Sequence, residues 1–188
     1  MSDTEAVVST IVSDNYDAGV QCAKDMMKKK TSANIIIVNQ KALNSINERV
    51  KGFRDTIKGH PQYKIVEEKE SAAEFEIAMK VMEKIIYEKK NYDVVMGGND
   101  PIALGCIAAM QMTDKTDQVM VYGVDGSPDG KAMIKAGFLE GTAAQSPIKI
   151  GEKAVQTAYS YLAGETVKKH VTTVSYTHLR AHETRRHL

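Results

Sequence analysis

Short continuous apolar runs alternate with longer amphipathic stretches from residue 15 onward. The pattern predicts helix 15–30, strand 34–38, helix 45–58, strand 63–67, helix 72–90, strand 93–97, helix 101–112, strand 118–123, helix 128–137, strand 140–144 and helix 147–163. Strands apolar at every position need cover on both faces, so the class is α/β, a parallel sheet flanked by helices. Within helix 72–90, Ile77, Met79, Val81, Met82, Ile85 and Ile86 form the expected buried stripe, while Glu76 and Lys80 pair one turn apart in solvent. The chain opens on a strand-like run, residues 6–12, with no helix before it.

One phrase occurs three times in the second half: an apolar strand, a polar residue, then a helix with proline in its first turn. The prolines are Pro101, Pro128 and Pro147, each preceded by a residue suited to cap a helix, Asp100, Ser127 and Ser146. With the caps so assigned, Asn99, Asp125 and Gln145 remain as polar residues at the carboxyl ends of buried strands. Ligands of open α/β sheets bind along that edge. Arg49, near the start of helix 45–58 and close to the carboxyl end of strand 34–38, reaches the same crevice. An ionised aspartate accepts two hydroxyl protons, a guanidinium offers a fork of donors, and Asn and Gln both give and accept. The set matches a polyhydroxylated ligand such as a sugar.

Composition narrows the alternatives. With 43% apolar residues, 25 basic and 24 acidic side chains, the 188-residue chain carries a real core and almost no net charge. That balance argues against a nucleic-acid surface, and no apolar run approaches bilayer length. Cys22 and Cys106 fall on apolar helix faces and read as small core residues, and the ten methionines read as core filler. No hydrolase elbow, phosphate-binding loop, zinc-protease helix or dinucleotide fingerprint occurs. Outside the tail only His60 and His170 could serve as a base, the first in a turn and the second in a Lys-rich segment. Neither an enzyme nor a cofactor or metal site is expected. The last residues, 175–188, break composition, holding three of the five histidines. His178 and His182 stand one turn apart, but the segment resembles translated sequencing-adaptor sequence and is set aside as a non-native tail.

Several motifs in order resemble the type I periplasmic sugar-binding proteins of the ribose/galactose group, the substrate-binding proteins of ABC transporters. They are Ser13-Asp14-Asn15 with Ala18-Gly19, Glu48-Arg49 with Gly52-Phe53, Gly98-Asn99-Asp100 with Ala103-Leu104-Gly105, residues 122–130, Ile134-Lys135-Ala136-Gly137, and residues 142–145 with Pro147 and Gly151. The resemblance implies the periplasmic-binding-protein-like fold of type I and a protein that closes on a monosaccharide by hinge bending. It would deliver the sugar to an ABC transporter permease, or to a chemoreceptor or sensor. By resemblance, Arg49, Asn99, Asp125 and Gln145 are sugar contacts. The family stacks an aromatic ring on the sugar from the segment before helix 72–90. Ala73 falls on that position here, with Phe75 two residues on as the candidate ring. Val124 stands where ribose binders commonly carry Phe.

The resemblance also implies that most of the amino-terminal lobe is missing. Residues 1–14 would be its remnant with a hinge crossing, 15–145 the carboxyl-terminal ligand-binding lobe, and 146–174 a helix and strand crossing to the missing lobe. Helix 147–163 would then lack part of its partner surface. The full-length protein would be periplasmic or a lipoprotein of the extracellular surface. The alternative is the sugar-effector core of a LacI-type transcription regulator. The Asp-Gly-Ser-Pro-Asp-Gly loop at 125–130 and the Ala-Gln-x-Pro at 144–147 lean towards transport.

Overall fold

The structure, a computed structural model, describes residues 6–113 and 119–173, and the backbone alone of 176–179. In chain order the elements are β1 (Thr10–Ser13), α1 (Asn15–Lys29), β2 (Ala33–Asn39), α2 (Asn44–Ile57), β3 (Tyr63–Glu70), α3 (Phe75–Tyr87), β4 (Val94–Gly97), α4 (Asp100–Gln111), β5 (Met120–Asp125), α5 (Pro128–Ala136), β6 (Gly141–Ala144), α6 (Pro147–Leu162), β7 (His170–Thr173) and β8 (Tyr176–Leu179). Strands line up as β3-β2-β4-β5-β6-β8, and a separate pair joins β1 to β7. From β3 to β6 every pairing is parallel, as the unbroken apolar strands predict.

Burial follows from that cover. Ile35, Ile36, Ile37, Val38, Val94, Val95, Met96, Val121, Tyr122 and Val124 are almost wholly buried, with successive side chains pointing to opposite faces. Helices α1 and α2 pack on each other, as do α3 and α4. Cys22 and Cys106 are core residues, as are Met26, Met82, Met96 and Met110.

Glycine brings α1 and α2 into backbone contact. A Cβ on Gly19 would overlap the Arg49 carbonyl, and one on Gly52 would overlap the Tyr16 carbonyl. This approach draws the first turn of α1 up to the side of α2 that carries Arg49.

Four expectations shift. The opening strand spans only Thr10–Ser13, and α3 begins at Phe75 and ends at Tyr87. Ile77, expected in the buried stripe, is 37% exposed, and Ala78 takes the buried place instead. Tyr176–Leu179, set aside with the tail, forms an antiparallel strand on β6. An uncovered β6 would be a sheet edge with free backbone donors and acceptors, and any strand-competent segment within reach can satisfy them. His178 has only its backbone described, and His182 lies outside the described residues, so their pairing does not enter.

Helix α6 has no buried residue, and Ile148, Val155, Tyr159 and Leu162 are each more than half exposed. No helix among the described residues is long and apolar enough to cross a membrane.

Candidate functional site

The carboxyl edge of the parallel sheet gathers Gly98 and Asn99 after β4, Asp125 at the end of β5 and Gln145 after β6. Next to them, Ser13 ends β1 and Asn15 opens α1. Arg49 projects from α2 and is 4% exposed. Its Nε donates to Asn15 Oδ1 at 2.9 Å and its Nη1 to the Gly98 carbonyl at 3.0 Å. The same Nη1 lies 3.2 Å from Asp125 Oδ1.

Asp125 Oδ1 also accepts from Gln145 Nε2 at 2.6 Å, and Gln145 Oε1 accepts from Ser13 Oγ at 2.8 Å. Asn15 Nδ2 donates to the Ser13 carbonyl at 3.2 Å. Four hydrogen bonds and the Arg49–Asp125 ion pair therefore close a ring, Ser13, Asn15, Arg49, Asp125, Gln145 and back to Ser13. Three of the four sugar contacts expected from the sequence, Arg49, Asp125 and Gln145, are joined directly in it.

Burial sets the electrostatics. Desolvation pushes the Asp125 carboxyl above its ordinary range, although Arg49 and the hydrogen bond from Gln145 both pull it down. Burial likewise lowers the Arg49 guanidinium, against the upward pull of Asp125. The pair is thus held partly out of water, with the Asp125 side chain 30% accessible and Arg49 beneath it. An acceptor and a rigid donor fork side by side match a hydroxyl, which gives one hydrogen bond and takes another. Held at low solvent exposure, such partners discriminate between epimers because a misplaced hydroxyl leaves them unpaired.

Asp125 has a backbone φ of 143°, unusual for a residue with a side chain. Conformations of that kind cost about 1–3 kcal/mol and persist where surrounding structure enforces them. Asp125 is such a place.

Asn99 differs from the expectation. It is the N-cap of α4, its Oδ1 accepting from Ile102 N at 3.0 Å, and its Nδ2 makes only a long contact of 3.5 Å to the Ala73 carbonyl. Asp100, expected as the cap, is fully buried. The cap lies one residue earlier than expected, because Pro101 occupies the second helical position and not the first. Ser127 and Ser146 do cap α5 and α6. Phe75, the candidate ring, is 38% exposed and lines a groove with Leu104, Ile107 and Met133, between α3 and the outer sides of α4 and α5. Ala73, at the family's aromatic position, adopts φ 59°.

Sequence reasoning gave no ligand-side role to Ser13, Asn15, Asp100 or Thr142. Asp100 carried a signal, as the only charged residue in an otherwise apolar α4. Its Oδ2 accepts from Ser127 N at 2.8 Å and Ser127 Oγ at 2.7 Å, and its Oδ1 from Thr142 Oγ1 at 2.6 Å. Among the described residues no group of three His, Cys, Asp or Glu is placed to hold a metal ion.

The ribose import binding protein of Salmonella typhimurium is 33% identical over 165 residues, which cover 86% of this chain and 55% of that protein. An ABC transporter solute-binding protein from Bacillus halodurans with bound myo-inositol superposes with a TM-score of 0.86 at 23% identity, over 95% of this chain and 62% of the other. A glucose-galactose binding protein from Geobacillus stearothermophilus gives 0.87 at 21% identity, over 95% and 65%. At those identities the two structures establish the fold, the α/β architecture of periplasmic binding proteins of type I. The chain spans about half the length of the curated relatives it matches. Residues 2–166 match the model of the periplasmic binding protein domain, and the chain belongs to that family.

Proposed function

We propose that this chain is the sugar-capturing lobe of an extracytoplasmic solute-binding protein, which closes on a monosaccharide of the ribose/galactose kind and hands it to an ABC importer or a sensor. The closed ring through Arg49, Asp125 and Gln145 carries the reading. It presents acceptor and donors at a sheet edge where ligands of α/β proteins bind. Asn99 lines the same edge, with its amide Nδ2 weakly engaged and able to turn to a hydroxyl. The relatives with related sequences are import binding proteins, which supports transport over transcriptional regulation and binding over turnover.

In this reading residues 15–145 form one jaw of a clamp. Segments 1–14 and 146–174 are the crossings to a second jaw, and the tail 175–188 is non-native, its strand Tyr176–Leu179 only covering the edge of β6. Ser13 and Gln145 lie where the two crossings meet, so their 2.8 Å hydrogen bond ties the hinge to the ligand contacts. Closure of the hinge is then felt directly by Asp125.

Thermal unfolding of the chain against a panel of pentoses and hexoses tests the reading. Sugar at ten times its Kd adds about 1.4 kcal/mol of stability. For a domain of this size that raises Tm by roughly 3–6 °C. One sugar is expected to give the shift and Asp125→Ala to abolish it. A shift that survives Asp125→Ala places the ligand elsewhere.

A further inference from the structure

The carboxylate of Asp100 has no capping duty, since Asn99 caps α4, and burying it without partners would be costly. Its partners lie in the corner that follows Asp125 and on the neighbouring strand β6. Oδ2 takes both the N–H and the hydroxyl of Ser127, and Oδ1 takes the hydroxyl of Thr142. Thr142 Oγ1 in turn accepts from Gly126 N at 3.0 Å, and Ser127 Oγ accepts from Gly130 N at 3.0 Å. One carboxylate thus fixes, directly or through one hydroxyl, the main chain at residues 126, 127 and 130.

The fit is tight. A Cβ on Gly123 would stand 2.5 Å from Asp100 Oδ1, and one on Gly130 2.5 Å from Oδ2, so the carboxylate occupies space that only glycine leaves on both sides. The main chain of Asp100 also lies close enough to the Asp125 carboxylate to pull its pKa down. Asp125, with its φ of 143°, is therefore gripped at its side chain and at the peptide that follows it.

We propose that Asp100 is a positioning residue for ligand recognition. Through Thr142, Gly126 and Ser127 it holds Asp125 in its strained backbone conformation and so aims the Asp125 carboxylate at the ligand. The proposal rests on the reading of Arg49, Asp125 and Gln145 as a sugar site.

The test is NMR of the full chain with D-ribose as probe. The three-bond coupling between the Asp125 amide and α protons is small at a φ near 143° and large in relaxed extended chain. Asp100→Asn keeps the shape but turns an amide N–H₂ towards donors. It is expected to raise that coupling and to weaken D-ribose binding by about tenfold or more. Thr142→Val, which removes one link, should move both readouts in the same direction, and Thr142→Ser, which keeps the hydroxyl, should leave both at wild-type values. Thr142→Val carries the test if Asp100→Asn does not fold. Unchanged Asp125 coupling in either folded variant overturns the proposal, even if affinity falls. A wild-type chain that ignores D-ribose counts against ribose as the ligand, while the coupling comparison still decides the role of Asp100.

Discussion

Replacing Arg49 by Met removes the centre of the hydrogen-bonded ring while keeping most of the volume of the side chain. Asn15 Oδ1 and the Gly98 carbonyl lose the Arg49 donor, and Asp125 Oδ1 loses its cation and keeps only the hydrogen bond from Gln145. Breaking a fully buried ion pair by deleting one partner costs about 3–5 kcal/mol, because the remaining charge is left uncompensated. Asp125 is 30% accessible through its side chain and recovers part of its hydration, so about 2–3 kcal/mol is expected here. In thermal unfolding that is a fall in Tm of roughly 4–12 °C.

The pH dependence fixes the cause. The folded Asp125 pKa is already raised by burial, and losing Arg49 removes a charge that pulls it down. A carboxyl whose folded pKa exceeds its unfolded value is stabilising when protonated. The folded state loses that advantage as pH climbs from the unfolded value through the folded one. The deficit of Arg49→Met against wild type should therefore be small in acid and grow towards neutral pH. Adding Asp125→Asn should recover part of the loss at pH 7, since the orphaned charge is gone. A deficit that is constant across pH, or double-variant losses that simply add, would refute the reasoning.

Gly19→Ala should cost about 3 kcal/mol or more in urea unfolding, because the added Cβ meets the Arg49 main chain and no side-chain rotamer relieves it. At the opposite side of α1, Lys29 Nζ bridges Asp25 at 2.7 Å and Glu140 at 2.8 Å, and Tyr122 donates to Asp25 at 2.8 Å. Burial pulls the Lys29 pKa down, but the two carboxylates outweigh it and the net shift is upward. Its stabilisation is full below the ordinary lysine value of about 10.4 and is lost as pH rises through the higher folded value. Lys29→Met should remove that part of the alkaline loss, read as the wild-type-minus-variant difference in urea unfolding between neutral pH and the alkaline limb. Burial raises both cysteine thiols to about 12. Neither Cys22 nor Cys106 should react with a thiol reagent in the native protein, and both should react in denaturant.

The layered fold was legible because its signal is collective. Five parallel strands and the helices between them each repeat a hydrophobic period over many residues, and no single misreading alters the sum. Position along the sheet edge was legible too, since a polar residue after a buried strand has few places to go. The capping of α4 was not. Asn and Asp are comparable caps, and a proline is accepted at more than one position of the first turn, so Asn99-Asp100-Pro101 fits two registers differing by one residue. That single step moved Asp100 from a solvent cap to a buried carboxylate. Ser13 and Asn15 escaped notice for another reason. Asn15 joins the site through the approach of α1 to α2 that Gly19 and Gly52 allow, and Ser13 through Gln145, both of them contacts between residues far apart in the chain. Phe75 was placed by counting from a neighbouring motif, and it stands at the start of α3, two residues after Ala73 with its positive φ.

Site-resolved NMR titration of the chain with D-ribose, then with the hexoses, tests the central claim most directly. The account predicts saturable shifts at the Arg49 Nε, Asn99 and Gln145 side-chain signals and at the Asp125 amide, all absent in Asp125→Ala. Saturable binding that leaves these four unmoved, or a response unchanged by Asp125→Ala, would contradict it.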